Sequence, residues 1–200
     1  MVSGVSSSQK VRLTCPSFGF SGLLAPLRQT NGVTFPYTPT IQLGHAANYG
    51  TYDITHSVYQ QQYFINTPNP SISVTATFTA QTTGEAAYSA AALHFFKAAT
   101  KPEFGGTFSS RAGVPPHVMN FSAYGALHVQ NVPVVVKSFT YTLTEESDYV
   151  TFNSAVGEVS LPTIFIVSLD LGVQYPPSTV KRSYSLTNYK SGNGLKRGFI

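Results

Sequence analysis

The side chains able to do chemistry in this sequence are few and stand apart from one another. Five histidines (His45, His56, His94, His117 and His128) are scattered without metal-ligand spacing, and no cysteine pair accompanies them. His94 falls where a helix is expected, yet the positions one turn away, Ala90 and Ala98, offer no second ligand. Glu145, Glu146 and Asp148 form a carboxylate cluster of the kind that turns ordinarily leave solvated. Gly192-Asn193-Gly194 lacks the preceding strand and following helix that would make it a phosphate cradle. No serine lies in a nucleophile-elbow context. These residues therefore predict no catalytic, metal or cofactor site, and the chain reads as a non-enzyme.

Cys15 is the only cysteine, which excludes an intrachain disulfide and suits a small buried apolar side chain. Met1–Ser8 has no basic region followed by an apolar run, so no secretory signal is expected. The longest apolar run, Ile164–Val167, is far too short to cross a bilayer. The expectation is a protein made and folded in a cytosol, without a membrane partner.

What must position the remaining side chains is a β-rich body. Aromatic residues make up 13% of the chain, with 14 Phe and 12 Tyr, a composition that favours strands. Ser71–Ala80 alternates cleanly, with Ile72, Val74, Ala76, Phe78 and Ala80 on one face and Ser or Thr on the other. Val134–Leu143 sets Phe139, Tyr141 and Leu143 opposite Ser138, Thr140 and Thr142. Thr163–Tyr175 carries Phe165, Val167, Leu169, Leu171, Val173 and Tyr175 on one face. Thr34–Leu43 is a further strand, confined to an edge by Pro36 and Pro39. Asp53–Phe64 is another, ended by the turn residues 66–70. A short hairpin is expected from Val118–Phe121 and Ala126–Val129.

Between these strands the period changes. Thr82-Thr83-Gly84-Glu85 fits a capping box and opens an Ala-rich helix over Glu85–Thr100, stopped by Pro102. Its polar stripe is narrow (Glu85, Ser89, Lys97, Lys101), so the helix must be covered on most sides. The predicted class is α+β, mainly antiparallel β, with six or seven strands and one flanking helix. Val74, Phe78, Phe95, Phe139, Phe165 and Leu169 are assigned to the core.

Charge is the most unusual property of the chain. Only 10% of residues are charged, against roughly a quarter in ordinary soluble domains, and between Leu13 and Gly84 only Arg28 and Asp53 are. A surface so poor in charge suits burial against copies or neighbours. Five of the 12 basic residues (Lys181, Arg182, Lys190, Lys196, Arg197) and no acidic ones lie in 181–200. Tyr184, Leu186, Tyr189, Leu195 and Phe199 recur among them like the anchors of a docking strap. Basic residues mixed with aromatics also suit a single-stranded nucleic-acid-binding β-barrel, and that reading stays open. The chain thus divides into a flexible segment 1–12, a domain 13–180 and a basic docking strap 181–200.

Several separated segments carry a family likeness. They are Gly32–Ile41 (GVTFPYTPTI), Phe78–Thr82 running into Glu85–Tyr88, Asn131–Val136 with Phe139, the Asp148-Tyr149-Val150 turn, and the ending Leu195–Ile200 (LKRGFI). In this order, from about Leu27 to Ile200, the sequence resembles baseplate tail-tube initiator proteins of contractile-tailed bacteriophages. The resemblance implies a tail-tube-like β-sandwich or half-barrel with one flanking helix. It implies a homo-hexameric ring in the virion tail baseplate, assembled in the host cytoplasm, capping the central hub and templating the first ring of tail-tube protein. Genomic DNA would pass through the bore without specific recognition. The residues assigned to inter-subunit contact are Phe35, Tyr37, Ile41, Tyr184, Leu186, Tyr189, Lys196, Arg197 and Phe199. The major tail-tube protein of the same fold is the alternative within the resemblance. A carbohydrate-active jelly roll ranks last, since no carboxylate pair beside aromatics is evident.

Overall fold

The computed structural model describes residues 9–104, 112–125, 128–144, 147–155 and 157–200. The centre of the fold is the alternating segment Ser71–Thr79. Its Ile72, Val74, Ala76 and Phe78 are all buried, and its Ser and Thr side chains face outward. We number the strands in chain order: β1 (Arg12–Thr14), β2 (Gly32–Thr34), β3 (Thr40–Gly44), β4 (Asn48–Tyr52), β5 (Gln61–Asn66) and β6 (Ser71–Thr79). After the long helix α1 (Thr83–Ala99) come β7 (Met119–Ala123), β8 (Val129–Leu143), β9 (Tyr149–Ser154), β10 (Gly157–Pro162) and β11 (Ile164–Val173). Three short helices close the chain: α2 (Pro177–Ser183), α3 (Leu186–Lys190) and α4 (Asn193–Lys196).

The fold is mixed α+β, dominated by a seven-stranded antiparallel sheet in the order β2-β1-β7-β8-β11-β6-β3, with two separate hairpins, β4–β5 and β9–β10. β11 sits between β6 and β8 in a register that sets Phe165 beside Phe78, whose rings stack at 5.4 Å. The sheet is not closed into a barrel, but it must curl. β2 and β3 lie at opposite edges, yet only Phe35–Pro39 joins them. Such a link reaches about 22 Å at full extension, whereas the outer strands of a flat seven-stranded sheet stand about 29 Å apart. The link is tied down as it crosses. The Phe35 amide donates to the Val11 carbonyl at 3.0 Å, and the Tyr124 hydroxyl donates to the Pro39 carbonyl at 3.0 Å.

Helix α1 fills the concave side of the sheet. Its start is the expected capping box: Thr82 Oγ1 accepts from the Glu85 amide at 3.2 Å, while Glu85 Oε2 accepts from the Gln81 and Thr82 amides. Alanines 86, 91, 92 and 99 are buried, with Leu93, Phe95 and Phe96 between them. Phe96 lies among the rings of Phe35, Phe95 and Phe139. The β9–β10 hairpin and the turn of 3-10 helix at Gly22–Leu27 cover its other sides. That cover corrects one expectation: Ser89, placed on the polar stripe, is only 3% exposed.

The strand boundaries need further corrections. Thr34–Leu43 is two strands on opposite edges, because Pro36 and Pro39 break the ladder between them. Asp53–Phe64 is not one strand: residues 53–60 connect β4 to β5. Eleven strands form among the described residues rather than six or seven. β8 is longer than expected, running from Val129, while Ala126 and Leu127 of the expected hairpin lie outside the described residues. Within the segment expected to be flexible, Val11 is buried and Arg12 opens β1, while residues 1–8 lie outside the described residues. The core assignments of Val74, Phe78, Phe95, Phe165 and Leu169 hold, with Phe139 partly buried against the same cluster.

Candidate assembly surfaces

The β4–β5 hairpin, Asn48–Tyr52 with Gln61–Asn66, leaves a large apolar surface uncovered. It leaves the sheet at β3 and returns at β6, where Gly44 and Ser71 are cross-strand partners. Every residue of β5, and all of β4 except the half-buried Gly50, is exposed. Eight large apolar side chains (Tyr49, Tyr52, Ile54, Val58, Tyr59, Tyr63, Phe64 and Ile65) are 47–88% exposed. None of them joins the core cluster. Within the arm Tyr63 lies over Gly50, where a Cβ would come within 2.5 Å of the ring, and Tyr49 meets Phe64 edge-on at 5.8 Å. Asp53 is its only formally charged residue and accepts a hydrogen bond from Gln60.

The C-terminal segment is the second surface. It folds onto its own body as α2–α4 instead of hanging free. Tyr175 Oη donates to the Gly198 carbonyl at 2.8 Å and accepts from the Ile200 amide at 3.2 Å. Gly198, at φ 79°, lies against the Asn131 carbonyl at the start of β8. Burial raises the Tyr175 phenol above its ordinary pKa, and the bond with Ile200 opposes that shift. On this base Val180, Tyr184 and Leu186 are 39–57% exposed, and Lys181, Arg182, Lys190, Lys196 and Arg197 are all exposed.

The residues assigned to inter-subunit contact thus separate into two groups. Tyr184, Leu186, Lys196 and Arg197 are on the surface, and Tyr189 is half-buried beside Tyr184. Tyr37 is 55% exposed and accepts a hydrogen bond from Thr79, while Ile41 on β3 is partly buried against the core. Phe35 and Phe199 require correction. Phe35 is 3% exposed between Phe78 and Phe96, and Phe199 is 4% exposed between Tyr175 and Tyr184. Their rings stabilise this chain's own fold and are not presented to a neighbour. Sequence reasoning misses the arm as a surface, although its aromatic-rich, charge-poor composition is the signal for it.

A third surface is the outer face of β8, β11 and β6. The register sets Ser138 beside Asp170 and Ser73, Thr140 beside Ser168 and Thr75, and Thr142 beside Ile166 and Thr77. That face carries both Asp170 and Lys137, whose side chain lies over Gly172, and Ile166 sits within it.

A wide depression of about 560 Å³ is open and lined by His94, His117, Lys97 and Lys101, with Lys97 Nζ 4.8 Å from the centre of the Tyr141 ring. Among the described residues no three His, Cys, Asp or Glu side chains could hold one metal ion, and no helix is long and apolar enough to cross a membrane. Tyr88 ties α1 to β2: its hydroxyl donates to the Thr34 carbonyl at 2.9 Å and accepts from the Thr34 amide at 2.8 Å. Desolvation raises its pKa. No protein-family model matches the sequence, and no curated protein matches it.

Proposed function

We propose that this chain is a structural virion protein, a baseplate tail-tube initiator of a contractile-tailed bacteriophage. In this reading six copies close into a ring that caps the central hub and templates tail-tube polymerisation around a DNA-conducting channel. The observation that carries it is the β4–β5 arm. An isolated two-stranded hairpin is marginal in water, and this one exposes eight large apolar side chains with a single formal charge. Contiguous exposed apolar surface of that kind marks a protein interface. The five sequence segments that resemble tube initiators supply the kind of assembly.

Two further features support the reading. The curled, open sheet has free edges that ring closure removes. The outer face of β8, β11 and β6 is rich in Ser and Thr and carries one acid and one base, Asp170 and Lys137, so it has no net charge to hold passing phosphates.

The test is native mass spectrometry of the full chain, alone and with hub protein, together with quantification of copies per particle. A complex of six times the 21.5 kDa chain mass, and one ring per tail, is expected. Many rings per tail would identify the tube protein instead. A monomer under all conditions that binds oligonucleotides with steep salt dependence would favour the nucleic-acid-binding alternative.

A further inference from the structure

We infer that β3 is an open edge of the sheet that accepts a further strand, and that this strand comes from the arm of a second copy. The inference rests on the ring reading above and specifies its contact. In an antiparallel pair, backbone groups alternate residue by residue between facing the partner and facing away. At β2 two bonds fix that parity: the Cys15 amide donates to the Asn31 carbonyl at 2.8 Å, and the Phe35 amide to the Val11 carbonyl at 3.0 Å. Asn31, Val33 and Phe35 therefore face β1, and Gly32 and Thr34 turn their amides and carbonyls outward. Three of those four groups are already taken. The Tyr88 hydroxyl bonds both the amide and the carbonyl of Thr34, and the Thr30 hydroxyl donates to the Gly32 carbonyl. Gly32 and Val33 are buried, and α1 packs alongside. The β2 edge is closed by its own subunit.

The β3 edge is bare. The Ala80 amide donates to the Thr163 carbonyl at 2.8 Å, so the even-numbered residues of β6 face β11 and the odd-numbered ones face β3. Ser71, Ser73 and Thr75 thus bond Gly44, Gln42 and Thr40, which leaves the backbone groups of Ile41 and Leu43 turned outward. Among the described residues no side chain bonds to those groups. Four of the five residues of β3 are exposed. An unpaired edge of this kind is a template for another chain.

The contacts of a ring are heterologous, so the strand that β3 accepts is not another β3; that pairing is isologous and closes at two copies. β2 is closed, and the β9–β10 hairpin lies on α1. The arm remains. Its β5 has six residues, all exposed, against five in β3. Its ladder uses only one edge of each arm strand. β3, β4 and β5 contain no charged residue, so no like charges oppose their pairing. Pairing there also brings the arm's apolar side chains beside Leu43, which is 39% exposed. Main-chain bonds supply affinity in strand addition, and the flanking side chains supply specificity.

The experiment compares the purified chain with variants that lack either the edge or the arm. Leu43→Pro removes an outward amide hydrogen and spares the β3–β6 bonds, at a position where an edge strand tolerates proline. Leu43→Ala keeps the amide and is the control. An armless chain has residues 45–70 replaced by an Asn-Gly turn and keeps β3. In sedimentation velocity Leu43→Ala is expected to associate within about threefold of wild type, and Leu43→Pro at least about tenfold more weakly. The armless chain alone is expected to be monomeric. Its equimolar mixture with Leu43→Pro is expected to give a heterodimer and nothing larger, since one copy supplies the edge and the other the arm. Hydrogen exchange of wild type reads the same contact without a substitution. Residues 40–44 are expected to exchange at least about tenfold more slowly in the assembled state than in the dilute one, and residues 32–34 equally in both. Leu43→Pro rings of wild-type affinity, an armless chain that dimerises alone, a mixture that stays monomeric, or exchange at 40–44 unchanged by assembly overturns this contact and leaves the ring standing. A wild-type chain monomeric with and without hub protein overturns the ring and the contact together.

Discussion

Excising the β4–β5 arm should abolish assembly and leave the subunit folded. Gly44 and Ser71 face each other in the β3–β6 ladder, so residues 45–70 can be replaced by a two-residue Asn-Gly turn that suits an antiparallel hairpin. No arm residue belongs to the core cluster, and the ladder from Thr40 to Gly44 survives the cut. The melting temperature should therefore stay within about 2 °C of wild type, the effect of less than about 1 kcal/mol in a domain of this size.

The effect on assembly should be large. Fully burying one large apolar side chain contributes about 1.5–3 kcal/mol. Eight such side chains, each with roughly half or more of its surface still exposed, hold about 8–16 kcal/mol in reserve for a partner. Association costs about 4–15 kcal/mol in lost translational and rotational freedom. The two figures are comparable, so removing the arm tips the balance even if other contacts remain. A loss of only about 4 kcal/mol weakens the contact roughly a thousandfold. Size-exclusion chromatography with light scattering compares wild type and excised chain at matched concentration. An excised chain that still forms wild-type rings would refute the assignment of the arm. One that fails to fold would refute its independence from the core.

Two substitutions probe the devices that shape the subunit. Tyr88→Phe removes both bonds to Thr34, leaving a backbone amide and carbonyl at the β2 edge without their partner, at about 1–3 kcal/mol. Thermal melts should fall by about 3–10 °C. Because the folded phenol titrates above its ordinary 10.0, the unfolded chain loses this proton first as pH rises. The stability this phenol contributes should thus be fully present below pH 10 and be lost above it, so stability should fall more steeply there in wild type than in Tyr88→Phe; identical slopes in urea titrations would contradict the buried phenol. Gly198→Ala forces a side chain into a backbone at φ 79°, with its Cβ 2.8 Å from the Asn131 oxygen. It should release the C-terminus, seen as faster amide exchange at Phe199 and Ile200 with the sheet unchanged.

The interior of the sheet is legible in the residue pattern, and its margins are obscure. β6 and β11 bury one face and expose the other, so their period of two survives in the sequence. The capping box is readable because Thr82 and Glu85 act locally. The arm carries no such period, since β4 and β5 are exposed on both faces and bury no alternate residue. Phe35 stands next to Pro36 and reads as part of an edge, but the curl of the sheet turns its ring inward between Phe78 and Phe96. That curl depends on β2 and β3 occupying opposite edges, a long-range pairing that no local window contains. Phe199 escapes sequence reasoning for the same reason: its pocket is made by Tyr175 and Tyr184, residues on either side of α2.

The contrast between guarded and unguarded edges is the strongest argument for incompleteness. At one margin of the sheet β2 is only three residues long, and at the other Pro36 and Pro39 precede a five-residue β3. Short edge strands and prolines are how proteins discourage uncontrolled pairing. The arm that grows from β3 has neither device: within its strands there is no proline and no Lys, only Tyr, Phe, Ile, Gln, Asn, Thr and Gly. A fold that blunts the edges of its sheet and leaves a longer, stickier hairpin bare has not failed at protection. It has left its stickiest strand surface on the arm, and a lone monomer carrying that hairpin would be an aggregation hazard. Selective exposure of this kind is stable only where a specific surface covers the arm as soon as copies meet.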